Sequence, residues 1–130
     1  YDEVSEFKAF AHSELTGREV AKVMYDNRYM EMYVLGYKTP YPYIWPFPKV
    51  KGYYSHDFPS NININERALH TMDTFDHVAN LIHEWTHALG FKHDGNKPNK
   101  NNNRNSVPYI IGYLAGSFAK RKWNDDKLQA

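Results

Sequence analysis

Residues 83–93 read HEWTHALGFKH, three imidazoles and a carboxylate within eleven positions. On a helix, His83 and His87 stand four apart and are neighbours on one face, so both rings can reach one ion. Zinc takes neutral imidazole nitrogen at roughly 2.0–2.1 Å, and its catalytic sites commonly use three protein ligands plus water. Glu84 sits beside the first histidine, where it can serve that water without ligating the metal. Gly90 is placed to end the helix and turn the chain back, which lets His93 arrive from a loop as the third ligand. The carboxylate of Asp94 is the local alternative for that third position. His83, Glu84, His87, Gly90 and His93 would coincide in fewer than about one in ten thousand shuffles of this composition, so a chance histidine-rich helix is a poor explanation.

The elements that must position these residues are legible in part. Asp73 or Thr74 can cap a helix running to about Leu89. At 100° per residue and with His83 at zero, Phe75, Val78, Ile82, Trp85 and Leu89 fall between about 200° and 280°, while His87 falls at about 40° and Glu84 at about 100°. One stripe is therefore built for a core and the histidines occupy another face. Upstream, Thr16 and Glu19 have capping-box spacing, and Val20, Val23 and Met24 follow at helical intervals. This predicts a helix over about 17–28, preceded by a helical turn within 5–15. The alternation in YMEMYVLGY, 29–37, predicts a strand. SNININER, 60–67, alternates asparagine with isoleucine and reads as a half-exposed strand at a sheet edge, with isoleucines buried and amides in water. The four prolines of KTPYPYIWPFPKVKG, 38–52, make it extended and irregular. The loop 94–106 holds six asparagines and no apolar period; it is expected to be a mobile surface loop able to gate a cleft. Ser106 and Pro108 start a last helix, with Ile111, Leu114, Ala115 and Phe118 on one face, to about 122.

The chain has 130 residues, 42% hydrophobic and 16% aromatic, which suits one folded domain over 1–130. Its formal net charge of +1 argues against a nucleic-acid surface or a polybasic membrane contact. With no cysteine, disulfides, thiolate metal sites and a cysteine nucleophile are excluded. No apolar run has the length of a membrane span. The first residue is Tyr1 and not methionine, so a trimmed or mature piece is expected.

With these residues in place, the chain resembles the metzincin metallopeptidases, whose extended signature H-E-x-x-H-x-x-G-x-x-H is met without a gap. Asp94 after the third histidine is similar to the adamalysin branch. The resemblance implies an α+β, zincin-like single domain. Its parts would be a small twisted mixed sheet, a backing helix (here 17–28), an active-site helix and a C-terminal helix. It implies a zinc ion on His83, His87 and His93, and weakly implies secretion. It also implies a peptide or protein substrate lying extended along a rim strand by strand addition, for which residues 60–66 are in the right order. One departure is plain: metzincins carry a methionine beneath the metal downstream of the third histidine, whereas Met24, Met30, Met32 and Met72 all lie upstream. NSVPYIIGY, 105–113, is expected to form that turn instead. Some family members use a nearby tyrosine at the metal or the oxyanion, and Tyr109 and Tyr113 are the candidates, Tyr109 the first.

The activity expected is zinc-dependent peptide hydrolysis with Glu84 as general base. The competing expectations are a non-catalytic zinc-binding module and an effector or toxin protease with one narrow target. His12, His56, His70 and His77 lack motif context and are expected to be surface or satisfied polar residues.

Overall fold

The computed structural model describes residues 1–38, 51–66, 72–95 and 98–129. Most of the proline-rich stretch, and His70, lie outside them. A short helix α1, Asp2–Ser5, precedes α2, Gly17–Asp26. The Thr16 hydroxyl accepts from the Glu19 amide at 3.4 Å and the Glu19 carboxylate accepts from the Thr16 amide at 3.0 Å, which closes the expected capping box. Val20, Ala21 and Met24 form its buried face. Between α1 and α2 the chain is irregular rather than a helical turn. Phe7 and Phe10 stack there at 5.3 Å, and Ala11 bridges to Ser106.

Three strands follow in the order β1-β3-β2: β1 Tyr33–Tyr37, β2 Gly52–Tyr54 and β3 Asn61–Asn65. β1 runs parallel to β3 and β2 antiparallel to it. Strand β1 begins at Tyr33 rather than at 29, because residues 27–29 turn and Met30 donates its amide to Asn27. Ile62 and Ile64 are buried as their alternation requires. Two expectations for this segment are corrected. β3 is the central strand and not an edge, its ladder occupied by β1 on one side and β2 on the other. The amides are not all in water either, since Asn65 is fully buried.

Helix α3, Thr74–Ala88, carries the histidine motif, and α4, Val107–Gln129, packs against it. Asp73 caps α3 by accepting from the Asp76 amide at 2.8 Å. The helices approach closely where α4 has Gly112 and Gly116. A Cβ on Gly112 would stand 2.7 Å from the Ala79 carbonyl oxygen and 3.1 Å from His83 Cβ. Val4, Phe10, Val20, Met24, Phe91, Val107 and Ile111 form the core, with Ile82, Trp85 and Leu89 of the predicted stripe packed on it. α4 outruns the predicted end near 122, and Phe118, expected on its buried face, is 62% exposed. No helix among the described residues is long and apolar enough to cross a membrane.

The fold is thus small, α+β, with a three-stranded mixed sheet and four helices among the described residues.

Candidate metal centre

The end of α3 is shaped by Gly90. Its φ of 102° lies in the left-handed region, which glycine enters without steric cost. The Gly90 amide donates to the His87 carbonyl at 3.0 Å and the Phe91 amide to the Thr86 carbonyl at 3.1 Å, the paired bonds of a Schellman stop. Phe91 then buries its ring in the core. The reversal sends residues 92–94 back along the helix and delivers His93 to the rings of His83 and His87.

The three Nε2 atoms converge. His83 Nε2 is 3.1 Å and His87 Nε2 is 3.2 Å from His93 Nε2. Two imidazole nitrogens on one tetrahedral zinc ion would stand about 3.3 Å apart, close to both of these distances, and the ligand atoms of all three rings lie within 4.8 Å of one another. Burial supports the same use. It pushes His83 down to about 3, helped by its two histidine neighbours, and it lowers His87 and His93 as well. Each shift favours the neutral ring, the form a metal requires. His87 Nδ1 lies 2.8 Å from the Phe91 carbonyl oxygen. A carbonyl only accepts, so Nδ1 carries the proton and Nε2 presents its lone pair. His93 is held less firmly: its Nδ1 makes no well-formed hydrogen bond among the described residues, and only the nearby Gly95 backbone acts on the ring, raising it against the effect of burial.

Among the described residues these three histidines are the one group able to hold a metal ion. Asp94, the alternative third ligand, does not join them, and its side chain lies on an exposed residue. Glu84 does not join them either. It is 5% exposed, lines the same cleft, and is raised to about 7 by burial. The arrangement therefore offers three neutral nitrogen donors and a separate carboxyl group that gains or loses a proton near neutral pH.

Of the two tyrosines singled out, Tyr109 reaches the centre. Its ring lies 4.5 Å from that of His83 and 4.8 Å from that of His93, centroid to centroid. Burial, then the charge of Glu84, raises its phenol. Tyr113, one turn further along α4, is 72% exposed at the cleft. The segment 105–113, expected to form a turn beneath the site, is instead mostly helix: Asn105 closes a 3-10 turn, Asn103–Asn105, and α4 begins at Val107. Seen from the strands, the cleft is walled by β2: Gly52, Tyr53 and Tyr54 all line it. Of the other histidines, His12 and His56 are exposed, and His56 meets the Tyr54 ring edge-on at 5.3 Å.

Two contributors had no signal in the sequence. The Phe91 carbonyl is a backbone group whose role follows only from the Gly90 reversal. Asn103, one of six asparagines in a polar stretch, is fully buried, so the loop it belongs to is anchored at that point rather than freely mobile.

No protein-family model, no curated protein and no solved structure matches this chain.

Proposed function

We propose that the chain is a zinc-dependent peptidase of metzincin-like design. The observation that carries the reading is the triangle of histidine Nε2 atoms with a buried, uncoordinated carboxyl group beside it in an open cleft. Three neutral imidazoles without thiolate suit zinc. When bound, the ion supplies Lewis acidity at a carbonyl oxygen and lowers the pKa of water towards about 7. His83, His87 and His93 hold it. Glu84 takes a proton from the attacking water as that oxygen bonds to the acyl carbon. It then gives the proton to the nitrogen as the C–N bond breaks. A carboxyl raised to about 7 is matched to both halves of that task. Tyr109 is the nearest phenol to the ligands and the donor for the developing oxyanion.

We place the substrate along β2 rather than along 60–66, since the backbone of β3 is already paired on both sides. β2 is the edge strand that lines the cleft. An extended peptide adds to its outer edge, in keeping with strand addition.

The test is a peptide-library digest by the full chain with and without chelator, alongside metal analysis. About one zinc per chain and chelator-sensitive cleavage are expected. Stoichiometric zinc without cleavage of any library member would point to a non-catalytic zinc module, and no zinc at all would remove the reading entirely.

A further inference from the structure

A metal-binding imidazole is ordinarily oriented by a hydrogen bond at its other nitrogen. His87 has one, from Nδ1 to the Phe91 carbonyl at 2.8 Å, and it also sits on a helix. His93 lies on a loop instead, its Nδ1 makes no well-formed hydrogen bond among the described residues, and the nearby backbone of Gly95, on that same loop, acts on its ring. The placing of its ring therefore depends on the backbone of that loop.

The backbone next to it is held by one side chain. The Asp94 amide donates to Asn103 Oδ1 at 2.9 Å, and Asn103 Nδ2 donates to the Asp94 carbonyl oxygen. A carboxamide has one acceptor and one donor end, and here the two grip both polar groups of a single residue. Asn103 is fully buried, so the bonds are shielded from water.

The clamp has a firm base. The Ser106 amide and hydroxyl both donate to the Asn103 carbonyl, at 2.9 and 2.6 Å. The Ala11 amide donates to Asn105 at 2.9 Å, and His12 Nε2 meets the Asn101 carbonyl at 2.7 Å. His12 has a φ of 61° and Asn102 also 61°, backbone states that persist only where the surroundings enforce them. Four residues beyond Asn103, α4 begins, and its Tyr109 touches both His83 and His93.

We propose that Asn103 is the positioning residue for the third metal ligand: its carboxamide holds both backbone polar groups of Asp94 and so fixes where His93 stands. This rests on the metal reading of the three histidines. The asparagine-rich segment then serves as a brace for the site rather than as a gate over it.

The test uses cobalt(II) as a spectroscopic probe of the metal-stripped full chain. The wild type should bind one cobalt with a visible ligand-field band of reproducible shape. Asn103→Ala should bind roughly 10–100-fold more weakly, the usual effect of losing an outer partner of a ligand. Its band should move towards that of His93→Ala. Asn103→Asp keeps the acceptor for the Asp94 amide and removes the donor, and should fall between the two; it carries the test if the alanine variant does not fold. Val20→Ala, a core truncation in α2, supplies a destabilised control and should keep the wild-type affinity and band. If the wild type binds cobalt and both Asn103 variants bind it equally well with the same spectrum, Asn103 does not position the ligand, and only this inference is overturned. If Val20→Ala weakens binding as much as they do, the effect is general loosening and the inference is equally overturned. A wild type that takes up no cobalt overturns the metal reading along with it.

Discussion

His87 Nδ1 lies 2.8 Å from the carbonyl oxygen of Phe91, four residues further on. A helical residue would aim its carbonyl along the helix axis. Phe91 can aim its carbonyl at His87 because the chain reverses at Gly90, whose φ is 102°. The tautomer of one metal ligand thus depends on the backbone freedom of a glycine three residues away.

Gly90→Ala tests that dependence. Among the described residues, no atom beyond its chain neighbours lies within 4 Å of where the new Cβ would stand, so the change acts through the backbone. Forcing alanine to a left-handed φ costs about 1–2 kcal/mol. The expected result is a melting temperature lower by several degrees together with weaker metal binding. A variant with lowered melting temperature but unchanged affinity would mean that the Phe91 bond survives without the reversal.

Gly112→Ala should behave differently. Here the added Cβ would stand 2.7 Å from the Ala79 carbonyl oxygen and 3.1 Å from His83 Cβ. Backbone cannot swing aside as a side-chain tip can, so α3 and α4 must separate. Overpacking of this kind costs about 1–3 kcal/mol. Because the strain falls on His83 and on the helix that carries Tyr109, the loss of peptide hydrolysis should exceed what the same loss of stability causes elsewhere. Matching Gly112→Ala against a core truncation such as Val20→Ala of equal melting temperature checks this. Equal activity in the two would show that the close approach serves packing only.

These glycines mark the boundary of what the sequence makes legible. Five positions in one register announced the histidine triangle, because four-residue spacing on a helix has a single geometric meaning. The α2 capping box was equally plain, since both of its bonds are local, at Thr16 and Glu19. Gly90 could be read because its work is local as well. Gly112 could not: it is set by which helix lies across it. The same holds for β3. Its alternation correctly assigns Ile62 and Ile64 to the interior, but alternation says nothing about how many neighbours a strand has, and β3 proved central. Asn103 is hidden for another reason. Among the six asparagines of 94–106, composition cannot reveal which amide is folded inward, and the partner it grips is backbone that any residue would provide.

Glu84→Gln separates the chemistry of the site from its stability. With metal bound, the variant should keep its zinc and lose peptide hydrolysis, and wild-type turnover would remove Glu84 as the base. With metal stripped, a pH effect is expected. Burial raises the Glu84 carboxyl from 4.5 to about 7, so the fold favours the neutral acid. That contribution is fully present below about pH 4.5 and is lost as pH rises through about 7. Glutamine resembles the neutral acid at every pH. The two metal-free proteins should therefore be equally stable near pH 4, and the variant more stable by ~3 kcal/mol near pH 8. Glu84 is not among the causes that shift His83, His87 or His93, so their contribution should cancel in the comparison. Denaturant melts across that range measure the gap; a gap that stays flat with pH would show that the carboxyl is not desolvated in the folded chain.

Tyr109 combines a ring and a hydroxyl, and the two can be tested apart. The ring lies 4.5 Å from His83 and 4.8 Å from His93, contacts that phenylalanine would retain. Tyr109→Phe should therefore hold its metal as the wild type does. Losing one oxyanion donor typically lowers kcat by about 10²–10³-fold, and because the oxyanion forms only after binding, the loss should appear in kcat with KM little changed. Tyr109→Ala removes the ring too, and should weaken metal binding and lower the melting temperature in addition. If phenylalanine supports wild-type kcat while alanine abolishes both activity and metal binding, the residue is a floor beneath the ligands and the phenol has no part in the reaction. The donor would then be sought on Tyr113, which is 72% exposed at the cleft and would need a bound substrate to draw it in.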